Sequence, residues 1–467
     1  MKEKQMDAIA IAKEVRSGRG SAVVFARSAL ESAKALNPTL NGFTSITEKR
    51  AMREAESVDA LVANGRDPGP LAGVPFAVKD LFDVEGITTL AGSKIDRDKP
   101  VAARDGTLVE RMWLAGACLI GATNMDEYAY GFSTENSHYG PTRNPHGLEH
   151  VAGGSSGGSG AVVAADIVPV SLGSDTNGSI RVPSSFCGIF GLKPTYGRLS
   201  RGGSTPFCHS LDHVGPFARS TRDLALLLDV LSGPDPLDPA CTTEIFDPVL
   251  PELDKPWDGV RADVLGGYFQ KWSSPEARRA VAVVAEALGA VDEVELPRVA
   301  LARTAAYLIT ATEGANLHLP HLRTRPMDFD PATRDRFLAG ALMPGAVYVQ
   351  AQRFRSWFRR EAKKVFLETD ILLAAATPIT APEIGQKFAD FNGERLNARQ
   401  NIGLYTQPIS FIGLPVVTVP VANISKMPMG VMLIGAPNSE PLLLRAAHFL
   451  EKQGVAATWN AGCQRVV

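Results

Sequence analysis

The chain has 467 residues, 45% of them hydrophobic and 21% charged, with a formal net charge of −2. That balance predicts an ordinary soluble globular protein, long enough for one large α/β core or two domains, and gives no footprint for a nucleic acid or an anionic membrane. With no bilayer-length apolar run, no secretory signal, and five scattered cysteines (Cys118, Cys187, Cys208, Cys241, Cys463) outside any CxxC spacing, the expectation is a cytoplasmic protein in a reducing compartment.

The first sixty residues read as helices, beginning with an amphipathic one. Ala26 to Ala35 is rich in helix formers, and Asn37-Pro38 is expected to stop that run. From Gly73 the pattern becomes a short apolar strand ending at Lys79-Asp80, so that functional groups sit at its carboxyl end. Residues 101–123 read as helix then strand. Residues 131–160 are rich in Gly, Ser and Asn and lead into Ala161 to Ala165, a buried helix, with Pro145 to His150 as loop. Ile167 to Leu172 is another β-branched run. Ser220 should cap a helix through Leu231.

Residues 233–259 are rich in Pro and Asp and read as a long surface connection. Val260 to Leu265 and Val291 to Leu296 read as strands around a helix opened by Ser274-Pro275. Further strands are expected at Asp370 to Ala376 and Leu414 to Val421. No internal repeat is present. The economical division is one α/β domain: an N-terminal helical segment (1–65), a catalytic core (70–230), a variable insertion (233–370) and a C-terminal return to the core (371–467).

Three segments carry chemistry: Val78-Lys79-Asp80, Gly153-Gly-Ser-Ser-Gly-Gly-Ser159 and Gly173-Ser-Asp-Thr-Asn-Gly-Ser-Ile-Arg181. Dense glycine lets backbone N–H groups converge on a ligand, so a tight turn ending in serine can supply a nucleophile and oxyanion donors together. A serine hydroxyl needs a base within hydrogen-bond reach, and a lysine serves only when desolvation strips its proton. Lys79, ending an apolar strand, is suited to that. Rival readings fit less well. The glycine run lacks the lysine of a phosphate loop. Gly154 to Gly158 matches G-x-S-x-G but lacks the strand that a nucleophile elbow needs before it. The pairs His209/His213 and His318/His321 have metal-like spacing without a third ligand, and Pro320 interrupts the second.

The run from Gly153 to Gly191, with Leu192-Lys-Pro-Thr-Tyr-Gly-Arg198, Asn124 to Tyr128 and Gly413 to Val417, resembles the amidase signature family. The resemblance implies a single large α/β domain with a central mixed sheet flanked by helices. It also implies a Ser–Ser–Lys triad: Ser179 as nucleophile, Ser155 after a cis peptide bond as proton bridge, and Lys79 as base. Backbone N–H groups of Thr176, Asn177, Gly178 and Ser179 would form the oxyanion hole, Asp175 and Arg181 would brace the turn, and no cofactor or metal is required. Asn177 stands where many members have glycine. Asparagine tolerates left-handed geometry, so the turn survives, and its side chain would narrow the pocket toward a small polar amide.

Asp126 to Asn136, Gly233 to Pro239, Glu313 to Arg325 and Ala351 to Arg355 resemble, more narrowly, the branch of the family that hydrolyses 1-carboxybiuret in cyanuric acid degradation. That implies ammonia release from a urea-type amide and a small helical partner subunit, in a homo- or hetero-oligomer. Tyr130 is a further candidate substrate contact. His318, Arg323 and Arg325 are candidates for holding a substrate carboxylate, although loop charges before Pro326 are an equal reading. The alternatives are the glutaminase component of a tRNA-dependent amidotransferase and, remotely, a noncatalytic scaffold.

Overall fold

The computed structural model describes residues 6–290 and 292–459. Val291 and Cys463 fall outside the described residues.

Among the described residues, eleven strands form one sheet. Their order is Phe43–Ile46, Cys118–Thr123, Pro75–Lys79, Val170–Asp175, His213–Ala218, Phe190–Lys193, Val416–Pro420, Gly430–Gly435, Ile371–Ala375, Ala262–Leu265 and Glu293–Val294. Pairing is parallel where Pro75–Lys79 lies between Cys118–Thr123 and Val170–Asp175. It is parallel again where Ala262–Leu265 meets its two neighbours, and antiparallel through the middle. This is a mixed α/β sheet with helices against it. Parallel strands need cover on both faces, and the sequence supplies it. Within Pro75–Lys79 every residue is buried, with Phe76 and Val78 in the larger apolar cluster and Ala77 in a second one with Ala161 and Val162 of the helix Gly157–Ala164.

Most elements lie where the sequence places them. Ser220 accepts from Asp223 N and caps the helix Thr221–Leu231, and Ser274 accepts from Ala277 N and caps Pro275–Leu288. Three differ. The helix Ala22–Leu40 runs through Pro38 and ends at left-handed Asn41. A proline in the last turn costs only its own missing N–H bond, so the stop comes at the left-handed cap. Gly147–Val151 is a strand of a small hairpin with Arg143–Asn144, not loop. The helix expected from Ala161 starts at Gly157, inside the glycine–serine run. Its first N–H groups find acceptors from outside: Gly157 N donates to Thr134 Oγ1 at 3.1 Å and Gly158 N to Asn124 O at 3.0 Å.

Candidate active site

Two parallel strands end side by side, with Val78 opposite Leu172. That register brings Lys79 next to Ser174 and next to the turn Asp175 to Ser179 that follows. Pleating puts Lys79 on the face of Ala77, the face covered by the helix Gly157–Ala164, whose lead-in carries Ser155. Lys79 is fully buried, and its Nζ lies 2.6 Å from Ser155 Oγ and 2.8 Å from Ser174 Oγ. Burial drives its pKa down to about 7, against the opposing pull of Asp126, Asp175 and Asp212. The Gly154–Ser155 peptide is cis. Ser155 O accepts from Asp126 N at 3.2 Å, which fixes the serine's turn.

Ser156 is spent on structure. Its hydroxyl donates to Ser174 O at 3.1 Å and accepts from Ser174 N at 3.3 Å. The nucleophile-elbow reading therefore fails because that hydroxyl is committed to the strand end. The absence of a preceding strand, its expected ground, does not hold.

The turn from Asp175 to Arg181 is braced by an ion pair that is wholly buried. Arg181 Nε donates to Asp175 Oδ2 at 2.9 Å and its NH2 to Asp175 Oδ1 at 3.0 Å. Ile180 N also donates to Asp175 Oδ2, and Arg181 NH1 to Thr406 O at 3.0 Å. Burial would raise the Asp175 pKa, yet Arg181 holds that carboxyl well below the usual range. Thr406 Oγ1 donates back to Asn177 O at 2.7 Å. Thr176 Oγ1 donates to Asp212 Oδ1 at 2.6 Å, and Asp212 Oδ2 accepts from Phe207 N and Cys208 N. Among the described residues, the N–H groups of Thr176, Asn177, Gly178 and Ser179 donate to no protein acceptor. Four free donors in a row are what an oxyanion would need.

Gly178, with φ +143°, takes the unusual backbone conformation, and a Cβ there would come 2.8 Å from Thr406 Cβ. Asn177 does not adopt left-handed geometry, contrary to expectation; the single glycine absorbs the turn. The Asn177 side chain does line the pocket, with its buried Oδ1 unpaired among the described residues.

Ser179 opens into a pocket of about 350 Å³ shared by Tyr130, Phe132, Asn177, Tyr307 and Gln407. Its charged lining residues are Arg303, Arg336 and Arg399. Sequence reasoning missed all three, as it missed Ser174 and Asp212. The parallel pairing of the Lys79 and Ser174 strands was the only signal that could have found one of them. Tyr130 reaches the pocket. His318, Arg323 and Arg325 do not. His318 is buried, its ring centroid 3.8 Å from that of Tyr128 and 5.0 Å from that of Phe337, and burial drops its pKa to about 3. Arg323 is exposed, and Arg325 pairs with Asp98 and Asp328. A helix rises ~1.5 Å per residue, so the end of Val299–Thr324 lies some 30 Å from Arg303. His213 is buried, with its Nδ1 at 2.7 Å from Leu211 O. Among the described residues no group of three or more His, Cys, Asp or Glu could hold a metal ion, and no helix is long and apolar enough to cross a membrane.

Residues 25–444 match the Amidase family. The chain is 52% identical over 453 residues to AtzE of Pseudomonas sp. (strain ADP), a component of 1-carboxybiuret hydrolase, covering 97% of this chain and 99% of that protein. It is 37% identical to a component of the glutamyl-tRNA(Gln) amidotransferase of Carboxydothermus hydrogenoformans, covering 95% and 96% of the two. A solved structure described as a vestigial protein complex that reveals the origins of an s-triazine catabolic enzyme superposes with a TM-score of 0.96 at 52% identity, covering 97% of this chain and 100% of that one. The substrate complex of 6-aminohexanoate cyclic dimer hydrolase gives 0.86 at 29% identity, covering 98% of each. A sheet of the same architecture and sequence similarity along nearly the whole length agree: the chain belongs to the amidase family and is a hydrolase of amide C–N bonds.

Proposed function

We propose that the chain releases ammonia from a small carboxylated urea-type amide of the 1-carboxybiuret kind. One observation carries this reading: among the described residues, the pocket above Ser179 is lined by three arginines and no carboxylate. An anionic amide of few atoms suits that charge and volume. Glutamine would bring an α-ammonium group with no acid among the described lining residues to meet it, which argues against the glutaminase alternative.

The chemistry would run on Lys79, Ser155 and Ser179. Neutral Lys79 takes the proton of Ser155 as Ser155 takes that of Ser179, and Ser179 Oγ attacks the amide carbonyl. Ser179 forms no side-chain hydrogen bond among the described residues, so its hydroxyl is free to turn toward Ser155. The free N–H groups of the turn would receive the oxyanion. The relayed proton goes to the departing nitrogen, the C–N bond breaks, and ammonia leaves. Water then attacks the acyl ester, giving its proton to Lys79 by the same relay. Ser179 recovers a proton and the acid is released.

In this reading residues 233–370 act as a specificity layer, since Arg303 and Arg336 come from it. A small helical partner subunit is part of the same reading, in line with the protein complex formed by a similar protein. So is a reducing cytoplasm, in line with the unpaired thiols of Cys118, Cys187, Cys208 and Cys241.

Ammonia release by the purified chain on carboxylated and plain biuret compounds, urea-type amides, malonamide and glutamine tests the proposal. Turnover of the carboxylated biuret type without turnover of glutamine is expected; glutamine as the preferred substrate would overturn it.

A further inference from the structure

Arg303, Arg336 and Arg399 share one pocket and are all half-buried, but they differ in what faces their charge. Arg399 approaches two carboxylates, with Nε 3.5 Å from Glu135 Oε2 and NH2 3.9 Å from Asp126 Oδ1. Among the described residues, Arg303 gives its hydrogen bonds to neutral acceptors only. Its Nε donates to Gln407 Oε1 at 2.9 Å, and its NH2 donates to Gln400 O at 2.8 Å and Asn401 Oδ1 at 3.1 Å. Among the described residues Arg336 donates one bond, from NH1 to Tyr130 O at 3.2 Å, and its guanidinium carbon lies 5.0 Å from the centroid of the Tyr130 ring. Among the described residues, neither Arg303 nor Arg336 forms an ion pair with a carboxylate.

A partly desolvated cation that meets only carbonyls, amides and a ring face is electrostatically incomplete. Two such cations on one pocket wall leave it with about two uncompensated positive charges, and burial already lowers the Arg303 pKa. Their neutral contacts serve another purpose: they hold each guanidinium still while leaving other N–H groups unspent. The backbones are fixed as well. Arg303 lies on Val299–Thr324 and Arg336 on Pro331–Ala341, and these helices touch so closely at Gly340 that a Cβ there would run into the main chain of Ala311. Phe337, next to Arg336, is fully buried in the same seam. Cations set in place before the ligand arrives lose little entropy on binding it.

We propose that Arg303 and Arg336 are the two arms of a carboxylate clamp that selects anionic amides, and that Arg399, neutralised by Glu135 and Asp126, is not part of it. The assignment rests on the anionic-substrate reading above. It identifies what that reading leaves open, namely which arginines read the charge. The clamp discriminates between two molecules of equal size that differ in one carboxylate.

The test uses the full-length Ser179→Ala protein, so that no amide is consumed, titrated calorimetrically with malonamate and with its neutral isostere malonamide. Malonamate is expected to bind at least about tenfold tighter. Adding Arg303→Gln or Arg336→Gln should each bring the two ligands to within about threefold, whereas adding Arg399→Gln should keep the preference. Arg303→Lys and Arg336→Lys retain the charge without the planar fork and should fall between, which also covers a glutamine variant that fails to fold. Equal binding by the Ser179→Ala protein, or no binding of malonamate, overturns the anionic-substrate reading itself. A preference that is present there and survives intact in either glutamine variant overturns the clamp alone.

Discussion

Asp175 and Arg181 meet fork to fork in the interior, with both side chains at zero exposure. Two charges six residues apart thus close the turn that presents Ser179. Breaking such a pair strands one charge in a medium that cannot solvate it, at about 3–5 kcal/mol. Asp175→Asn should therefore destabilise the fold by that order in urea titration and weaken turnover as the turn loosens. The pair also has a pH signature. Its carboxyl is held below the ordinary value of about 3.9, so its stabilisation is complete above that pH and is lost only as pH falls through the lower folded value. Asp175→Asn should show a smaller loss of stability across that acid range than the parent.

Lys79 predicts opposite effects on rate and on stability. As the base it must be neutral, so kcat/KM should fall with falling pH on an acidic limb centred near 7. A flat rate down to pH 5 would count against a lysine base. Its stability contribution follows from the same depressed pKa. Below about 7 the folded protein carries a buried ammonium and bears the full desolvation cost; above the unfolded value of about 10.4 both states are neutral and the cost is gone. Lys79→Met should be inactive, and any stability gain over the parent should be larger at pH 6 than at pH 9, read from urea midpoints.

Ser179→Ala and Ser155→Ala should each reduce turnover by at least about 10⁴-fold, as removing members of a catalytic unit does, with unchanged thermal melting within a few degrees. Combining them should cost little more than either alone. Additive losses in a double-mutant cycle would mean that the two serines act separately.

Gly178→Ala forces a Cβ onto Thr406 and a side chain into a conformation suited to glycine. The turn must shift, misplacing its N–H donors, and kcat should drop by about 10²–10³-fold, the usual cost of losing one oxyanion donor. KM should move far less. A loss confined to KM would place the turn in ground-state binding instead.

The chemistry of the site was legible in the sequence because it is local. Lys79 ends an apolar strand, and the two glycine–serine runs carry Ser155 and Ser179 in recognisable company. Legibility failed where tertiary contacts decide. Arg303 and Arg336 lie outside every segment that carries a motif, and Arg399 in a four-residue turn of helix, Ala398–Asn401. Only tertiary packing, with Val299–Thr324 against Pro331–Ala341 and Gln407–Ser410, brings all three to the pocket of Ser179. Charge within the family-like segment Glu313 to Arg325 drew attention to Arg323 and Arg325, yet Arg325 is claimed by Asp98 and Asp328 and Arg323 faces solvent. The strand Gly147–Val151 was hidden because its residues, half exposed in a two-stranded hairpin, carry no alternating apolar signal. Ser174 was in plain view, and only its pairing with the Lys79 strand gave it meaning.

Ser174 also bears on the charge state of the lysine. A primary amine has two N–H bonds and one lone pair; an ammonium has three N–H bonds and none. Among the described residues, Lys79 Nζ has two hydroxyl neighbours, Ser155 and Ser174. With one N–H given to Ser174 and the lone pair turned to the Ser155 hydroxyl, the neutral amine meets both neighbours in the form the relay needs. Neither hydroxyl brings a negative charge to set against burial, so Ser174→Asp, which places one beside Nζ, should hold Lys79 in the form that cannot work.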